Sequence, residues 1–253
     1  YGFSVITSVI SFLALMAFFY WQGFAWLDES ARGYSSNEIV VGLIFFGILL
    51  FINDILTTPF SYYQTFVIEE KYGFNKSTKK TFFMDKLKGW ALALILGGLA
   101  LGLIIYFFFN DPAKFWIYTW LFITVFTLFF TLFYSTLIVP IFNKQKPLED
   151  GPLRIAIQEF AGKVGFSLKD IFVIDGSKRS TKANAYFAGF GPKKRIVLYD
   201  TLISDLTTGE IIAVLAHEIG HYKKKHVFWN MALSLMITGF TLYILSLFIQ
   251  NTA

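Results

Sequence analysis

The sequence contains no cysteine, so it can form neither a disulfide bond nor a metal site with thiolate ligands. Charged residues are also scarce. They make up 15% of the chain, against about 25% in an ordinary soluble domain. Hydrophobic residues, by contrast, account for 55% and aromatic residues for 20%. The shortage of charge and the mean hydropathy of +0.57 argue against a disordered or soluble globular protein and indicate an α-helical polytopic membrane protein.

Five apolar runs are long enough to cross a bilayer, which takes about 20 residues in a helix. They cover Phe3–Trp26, Ile39–Phe60, Gly89–Phe109, Phe115–Val139 and Val227–Ile249. The first run has neither the basic start nor the small-residue cleavage pattern of a signal peptide, so we predict that it is a span. Asp54 lies inside the second run. A carboxylate there is either functional or close enough to the cytosolic end of its span to reach water.

The basic residues are distributed very unequally between alternate sides of these runs. Residues 27–38 and 110–114 hold one Lys or Arg each, whereas residues 61–88 hold six and residues 140–226 hold fourteen. The positive-inside rule therefore places the two basic segments in the cytosol. The net charge of +5 is explained by this topology and by contact with anionic membrane lipid, so we expect no nucleic-acid partner.

The predicted organisation has three parts. Residues 1–139 form a membrane domain with four spans and a cytosolic loop at 61–88. Residues 140–226 form a small α+β cytosolic domain, and residues 227–253 form the fifth span. Within the small domain, Pro152 begins a helix that Gly165 ends. Short apolar runs predict strands at residues 170–175, 184–190 and 195–199, the last two forming a hairpin around Gly191-Pro192.

The chemistry of the chain centres on one helix. Thr207 and Glu210 form a capping box, and the apolar run that follows contains His217-Glu218-Ile219-Gly220-His221, an HExxH motif. Residues four apart share a helix face, so both imidazoles can bind one Zn²⁺ ion. Glu218 is turned by about 100° from His217, from where it can act as general base on a metal-bound water. The alternative interpretation is a core helix that happens to carry histidines.

A zinc site needs a third protein ligand, and the sequence after the motif offers little. No Asp or Glu follows Glu218. If the helix continues unbroken, His226 lies nine residues beyond His217 and on the opposite side. Residues 222–225 contain no glycine that would break the helix. We therefore expect His226 to lie at the membrane interface or to support a ligand rather than to bind the metal.

Several segments together resemble a known family much more specifically than the motif does. They are EEKYGFNKSTKK (residues 69–80), FFMDKLKG (82–89), SKRSTKANAYFAGFGPKKRIVLYD (177–200) and VLAHEIGH (214–221). With them the sequence resembles the integral-membrane CAAX prenyl proteases of the sterile-24 type, which are zinc metalloproteases of the gluzincin kind.

The resemblance implies that His217 and His221 bind one Zn²⁺ per chain and that Glu218 activates the water. It also implies that Asn184, Ala185 and Tyr186 form an edge strand that pairs with the substrate backbone. The family fold has seven spans, of which five are expected here. The resemblance places the third zinc ligand, a Glu, in a C-terminal part that lies outside this chain.

The function so implied is a zinc-dependent membrane endopeptidase that cleaves near the C-terminus of prenylated CAAX-type peptides. The activity of these 253 residues alone stays open. One alternative is a membrane quality-control metalloprotease, and another is a non-catalytic membrane protein with a defunct zinc motif. The active site is expected to face the cytosol. The membrane is that of the endoplasmic reticulum or the inner nuclear membrane if the source is eukaryotic, and the inner membrane if it is bacterial.

Overall fold

The computed structural model describes residues 2–166, 168, 170–188 and 195–250, and of Gln250 only the backbone. The described part is mainly helical and carries one four-stranded sheet. The helices are α1 (Gly2–Tyr20), α2 (Gly23–Tyr34), α3 (Glu38–Tyr63), α4 (Lys79–Leu92), α5 (Gly98–Asn110), α6 (Phe115–Leu137), α7 (Val139–Phe142), α8 (Pro152–Lys163), α9 (Asp200–Asp205), α10 (Thr208–Lys223) and α11 (His226–Gln250). The strands are β1 (Gln145–Pro147), β2 (Asp170–Ile174), β3 (Ala185–Ala188) and β4 (Arg195–Tyr199). Two π-helical segments, Gln64–Glu69 and Ala93–Gly97, extend α3 and join α4 to α5.

Five helical segments of the described chain are long and apolar enough to cross a membrane, as the sequence predicts. They are Gly2–Tyr20, Glu38–Glu69, Lys79–Asn110, Phe115–Phe142 and His226–Ile249. The first is shorter than its apolar run, because Gln22 takes a left-handed conformation (φ 55°) and a separate helix starts at Gly23. The second and third extend beyond their apolar runs into polar sequence, since a helix need not end where hydropathy falls.

The chain divides into two compact units, one of residues 1–71 and 89–119 and the other of residues 72–88 and 120–253. In the first unit, Leu27, Ala31 and Val41 are buried where α2 packs against α3. Helices α3 and α5 approach closely at Gly42, where a Cβ would lie 2.6 Å from Cδ1 of Ile105. Only glycine at residue 42 permits this separation without moving Ile105.

Polar side chains in the first unit are held by partners within it. The indole Nε1 of Trp90 donates a hydrogen bond of 2.9 Å to Oδ2 of Asp54, the carboxylate inside the second span. Arg32 bridges Asp28 and Glu38, with an N–O distance of 2.9 Å to each. These bonds satisfy charges that would be costly to leave unpaired in or near a membrane.

The sheet lies in the second unit, with the strand order β1-β2-β4-β3. Strands β2 and β4 are parallel, and the other two pairs are antiparallel. The predicted strands at 170–175 and 195–199 are confirmed. The strand predicted at 184–190 is observed as β3, and its turn at Gly191-Pro192 lies outside the described residues. Strand β1 was not predicted, because its three residues show no apolar alternation. The consequence that matters for the site is that β3 forms an edge of the sheet.

The two faces of the sheet are buried against different partners because side chains alternate along each strand. Ile196 and Leu198 of β4 pack with Ile211 of α10 and are fully buried. Val197 points to the other face, where it packs with Val139 at the start of α7. The sheet therefore holds α10 firmly on one of its faces.

Helices α6 and α11 of the second unit meet at a tryptophan. Trp120 donates a hydrogen bond of 2.9 Å from Nε1 to the backbone carbonyl of Leu235. A Cβ at Gly239 would lie 2.8 Å from the same Nε1 atom. The glycine thus makes room for the indole that joins the two helices.

Candidate functional site

Helix α10 has a strong start and a clear inner face. The predicted capping box is present: the Glu210 carboxylate accepts from the Thr207 backbone N–H at 2.8 Å, and the Thr207 hydroxyl accepts from the Glu210 N–H at 3.4 Å. Ile211, Leu215 and Ile219 recur every four residues and are all buried. This apolar stripe fixes the rotation of the helix about its axis, and it leaves the opposite side for polar groups.

The HExxH histidines lie on that polar side. His217 and His221 are exposed, and their Nε2 atoms are 3.0 Å apart. Two nitrogens bound to one tetrahedral zinc at about 2.05 Å lie about 3.3 Å apart, so the pair fits a shared metal ion. Glu218 follows on the next side of the helix and is half-buried. The structure thus brings the two histidines together and keeps the glutamate beside them.

His226 is also close, although an unbroken helix would carry it to the opposite side. The expectation of an unbroken helix is wrong: α10 ends at Lys223, Lys225 adopts a left-handed conformation (φ 55°), and α11 begins at His226. The reversal needs no glycine. It places Nδ1 of His226 2.7 Å from Nδ1 of His221, on the side of that ring away from His217.

The fit to a metal is partial in the described part of the chain. A small cavity of about 340 Å³ lies beside the helix and is lined by Ala216, His217, Gly220, His221, Lys224 and His226. Among the described residues, no group of three or more His, Asp or Glu side chains has the geometry to hold a metal ion. The described chain therefore offers two ligand nitrogens and not a complete coordination shell.

The predicted edge strand packs against the HExxH helix. Phe187 of β3 belongs to the same apolar cluster as Ile219 of α10, together with Phe166, whose ring centroid is 5.0 Å from that of Phe187. Ile219 is the third residue of the motif. Ile219 thus anchors the strand to the inner side of the helix that carries the motif.

The backbone of β3 shows which groups are available to a partner. The Tyr199 N–H bonds to the Asn184 carbonyl at 3.0 Å, and the register pairs Tyr186 with Val197. In an antiparallel pair, alternate residues bond to the neighbouring strand, so Ala185 and Phe187 direct their backbone groups to the free edge. The Ala185 N–H is bound by the Asn184 side chain, whose Oδ1 atom lies 2.8 Å away.

A larger cavity of about 570 Å³ runs along this strand and was not predicted. Its lining includes Tyr186 of the strand, Asn184 just before the strand, and also Ser135 and Arg179. The Tyr186 hydroxyl lies 3.4 Å from the Ser135 hydroxyl, and burial raises the pKa of Tyr186. Sequence reasoning missed Ser135 because it lies in an apolar run far from the motif.

The comparison with known families covers nearly the whole chain. Residues 1–144 match the model described as "CAAX prenyl protease N-terminal, five membrane helices", and residues 147–253 match peptidase family M48. The chain belongs to the CAAX prenyl protease family. Family M48 is a family of metallopeptidases, so a metal ion is implied for its site. The resemblance stated from the sequence segments is confirmed.

Individual members of the CAAX prenyl protease family are similar in sequence to most of this chain. CAAX prenyl protease 1 of Saccharomyces cerevisiae is 42% identical over 213 residues, which are 84% of this chain and 47% of that protein. The homologue from Dictyostelium discoideum is 39% identical over 249 residues, 98% of this chain and 58% of its own length. The chain spans about half the length of the curated relatives it matches.

The fold of a CAAX prenyl protease has also been solved. The crystal structure of S. mikatae Ste24p superposes on this chain with a TM-score of 0.90 at 39% sequence identity. The match covers 98% of this chain and 59% of that structure. The α-helical membrane fold with a small sheet, predicted from the sequence, is thereby confirmed.

Proposed function

We propose that the protein is a zinc-dependent membrane endopeptidase that cleaves prenylated CAAX-type peptides near their C-terminus. The observation that carries this proposal is the pair of Nε2 atoms of His217 and His221, 3.0 Å apart on the exposed side of α10, in a chain of this family. The relatives' names, CAAX prenyl protease 1 and its homologues, support this substrate class over misfolded membrane proteins.

His217 and His221 are the proposed zinc ligands, each through Nε2. A bound zinc ion would supply a Lewis acid that polarises the scissile carbonyl and lowers the pKa of a water molecule. Imidazole nitrogen is a ligand that zinc prefers. The exposure of both rings leaves room for a further ligand and for substrate to approach.

Glu218 is the proposed general base. Its position one residue after His217 turns its side chain about 100° around the helix, beside the ligands rather than among them. From there its carboxylate accepts a proton from the attacking water and later delivers it to the leaving amine. The half-buried position of Glu218 limits the contact of this proton with bulk solvent.

The substrate is proposed to add to the sheet as a strand beside β3. The free edge presents backbone groups of Ala185 and Phe187, and the Asn184 and Tyr186 side chains line the neighbouring cavity. Main-chain pairing of this kind holds an extended peptide irrespective of most of its side chains. Because Phe187 packs with Ile219, a peptide on this edge lies next to the HExxH helix.

The proposed site faces the cytosol. The basic residues of segments 61–88 and 140–226 support this orientation. It accords with a membrane part at residues 1–139, a catalytic part at residues 140–226 and a last span at residues 227–253. In a eukaryotic cell the corresponding location is the endoplasmic reticulum or the inner nuclear membrane, where membrane lipid and the prenylated peptide are the partners.

The proposal is tested on the purified full-length protein with Glu218→Gln, and with Glu159→Gln as the control on the exposed side of α8. Zinc is measured by elemental analysis, and cleavage of a farnesylated peptide by mass spectrometry. We expect Glu218→Gln to retain zinc and to cleave the peptide about 100- to 10,000-fold more slowly. We expect Glu159→Gln to bind zinc and to cleave the peptide like the wild type. Unchanged turnover in Glu218→Gln would remove the assigned role.

Two further measurements complete the test. His217→Ala is expected to lose both zinc and cleavage. The same peptide without its farnesyl group is expected to be a poorer substrate. Equal cleavage of the two peptides would favour the quality-control interpretation over prenyl-peptide processing.

A further inference from the structure

Both ring nitrogens of His221 are engaged in the structure. Its Nε2 atom faces Nε2 of His217 at 3.0 Å, and its Nδ1 atom faces Nδ1 of His226 at 2.7 Å. The ring centroids of His221 and His226 are 4.9 Å apart and the rings are inclined by 71°. These are the three histidines of the sequence, and His221 is the middle one of the chain of contacts.

The contact between the two Nδ1 atoms constrains where the protons lie. A hydrogen bond between two imidazole nitrogens requires that one is protonated and that the other is not. A nitrogen that binds a metal ion cannot carry a proton. If Nε2 of His221 binds the metal, its Nδ1 atom carries the proton and donates it. The Nδ1 atom of His226 must then be the acceptor.

We propose that His226 is a positioning residue, which accepts this hydrogen bond and so fixes the tautomer and ring orientation in which His221 binds the metal. The inference rests on the proposed function, because it assigns His221 as a ligand. Metal-bound histidines commonly donate their second N–H to a carboxylate or a backbone carbonyl. Here the acceptor of that N–H is the neutral imidazole of His226.

The backbone supports this role. The turn that delivers His226 requires a left-handed conformation at Lys225 (φ 55°), which is unfavourable for a residue with a Cβ atom. The turn is closed by hydrogen bonds from Lys224 N–H to the Gly220 carbonyl and from Lys225 N–H to the Tyr222 carbonyl. Strained conformations of this kind concentrate at functional sites. The chain thus accepts local strain where an unbroken helix would carry His226 to the opposite side.

The geometry argues against the competing role of His226 as the third ligand. Its nearest nitrogen faces Nδ1 of His221, whereas the shared metal position lies between the Nε2 atoms of His217 and His221. The described residues also contain no trio of His, Asp and Glu side chains that could hold a metal ion. His226 therefore acts through His221 and not on the metal itself.

The test measures zinc affinity of the full-length protein by competition with a chromophoric chelator. His226→Phe keeps a planar ring and removes the acceptor, and we expect it to weaken zinc binding about 10- to 100-fold. His226→Asn places an amide oxygen near the position of Nδ1, and we expect it to restore most of the affinity. Unaltered affinity in His226→Phe, or no restoration by His226→Asn, would overturn the proposal.

Two other outcomes for zinc binding have a different meaning. Complete loss of zinc from His226→Phe, as severe as in His217→Ala, would make His226 a ligand and refute the positioning role. If the wild-type protein itself binds no zinc, the proposed function fails first and the role of His226 fails with it.

A second pair of variants tests the turn. Lys225→Gly keeps the turn and is expected to preserve zinc affinity, whereas Lys225→Val disfavours the turn and is expected to reduce it. Equal affinity in these two variants would show that the turn does not position His226.

Discussion

Arg179 holds Asp85 through two parallel hydrogen bonds, from Nε to Oδ2 at 2.7 Å and from Nη2 to Oδ1 at 2.9 Å. The same Nη2 atom also donates to the Phe142 carbonyl at 2.8 Å. Both side chains are about three-quarters buried. One guanidinium group thereby fastens α4, the end of α7 and the segment before β3 together within the second unit.

Asp85→Asn tests how much this ion pair contributes to the stability of the fold. The amide keeps the shape of the carboxylate but removes its charge, and Arg179 Nη1 already lacks a hydrogen-bond partner among the described residues. We expect the free energy of unfolding to fall by about 1–3 kcal/mol, measured by thermal unfolding in detergent. Asp150→Asn is the matched control, since Asp150 also pairs with an arginine, Arg154, but its side chain is 95% exposed. An equal effect of the two variants would contradict the importance of the buried pair.

Glu210 gives the start of α10 a pH dependence of known sign. Its hydrogen bonds with the Thr207 backbone and side chain lower the pKa of Glu210 from the ordinary 4.5. A carboxyl group with a lowered pKa stabilises the folded state above 4.5 and loses that contribution as the pH falls through its folded value. We therefore expect the unfolding temperature of the wild type to decline more steeply below pH 4.5 than that of Glu210→Gln.

The glutamine control is informative because its amide oxygen can still accept from the Thr207 N–H without carrying a charge. Its capping bond is retained and its acid sensitivity is not. Identical slopes of unfolding temperature against pH in the two proteins would show that the capping box does not contribute to acid stability.

Gly239→Ala should disturb the contact between α6 and α11. Because the added methyl group would lie 2.8 Å from Nε1 of Trp120, the indole must shift and weaken its bond to the Leu235 carbonyl. We expect a loss of about 1–3 kcal/mol in unfolding experiments in detergent. Gly89→Ala, with no atom within 4 Å of the new methyl group, should be neutral or slightly stabilising. Wild-type stability in Gly239→Ala would mean that the helices accommodate the methyl group by moving apart.

The proposed pairing of substrate with β3 makes a prediction about the substrate itself. A farnesylated peptide with a single N-methylated amide cannot donate at that position to the free edge of β3. We expect such a peptide to bind about 2- to 10-fold more weakly, since a net hydrogen bond contributes about 0.5–1.5 kcal/mol. Scanning the methyl group along the peptide should give an alternating pattern. A uniform response at every position would argue against strand addition.

The sequence predicted those elements whose signals are local. The capping box at Thr207, the start of α8 at Pro152 and the end of that helix before Gly165, which has φ 63°, all follow from residues that adopt one backbone conformation readily. The spacing of His217 and His221 likewise predicted that they share a face. Nothing comparable marks Gln22 and Lys225, whose left-handed conformations end α1 and α10.

What the sequence could not predict depends on partners that are distant along the chain. Nothing in the sequence around Arg179 indicates its partner, because its bond to Asp85 spans 94 positions. The spacing alone places His226 on the wrong side of α10, because the helix ends at Lys223 instead of continuing. A single residue of unusual backbone conformation reverses such an argument, and periodicity carries no information about it.

The hydrogen bond between the Asn184 side chain and the Ala185 N–H also affects how the edge of the sheet meets other molecules. An uncovered sheet edge can pair with the same edge of a second molecule and so begin an aggregate. By occupying the Ala185 N–H at 2.8 Å, Asn184 withdraws the first donor of that edge from any passing strand. A peptide that accepts a hydrogen bond from the Ala185 N–H must first displace the Asn184 amide oxygen. The bond thus leaves this edge with one donor fewer for pairing with the same edge of a neighbouring copy.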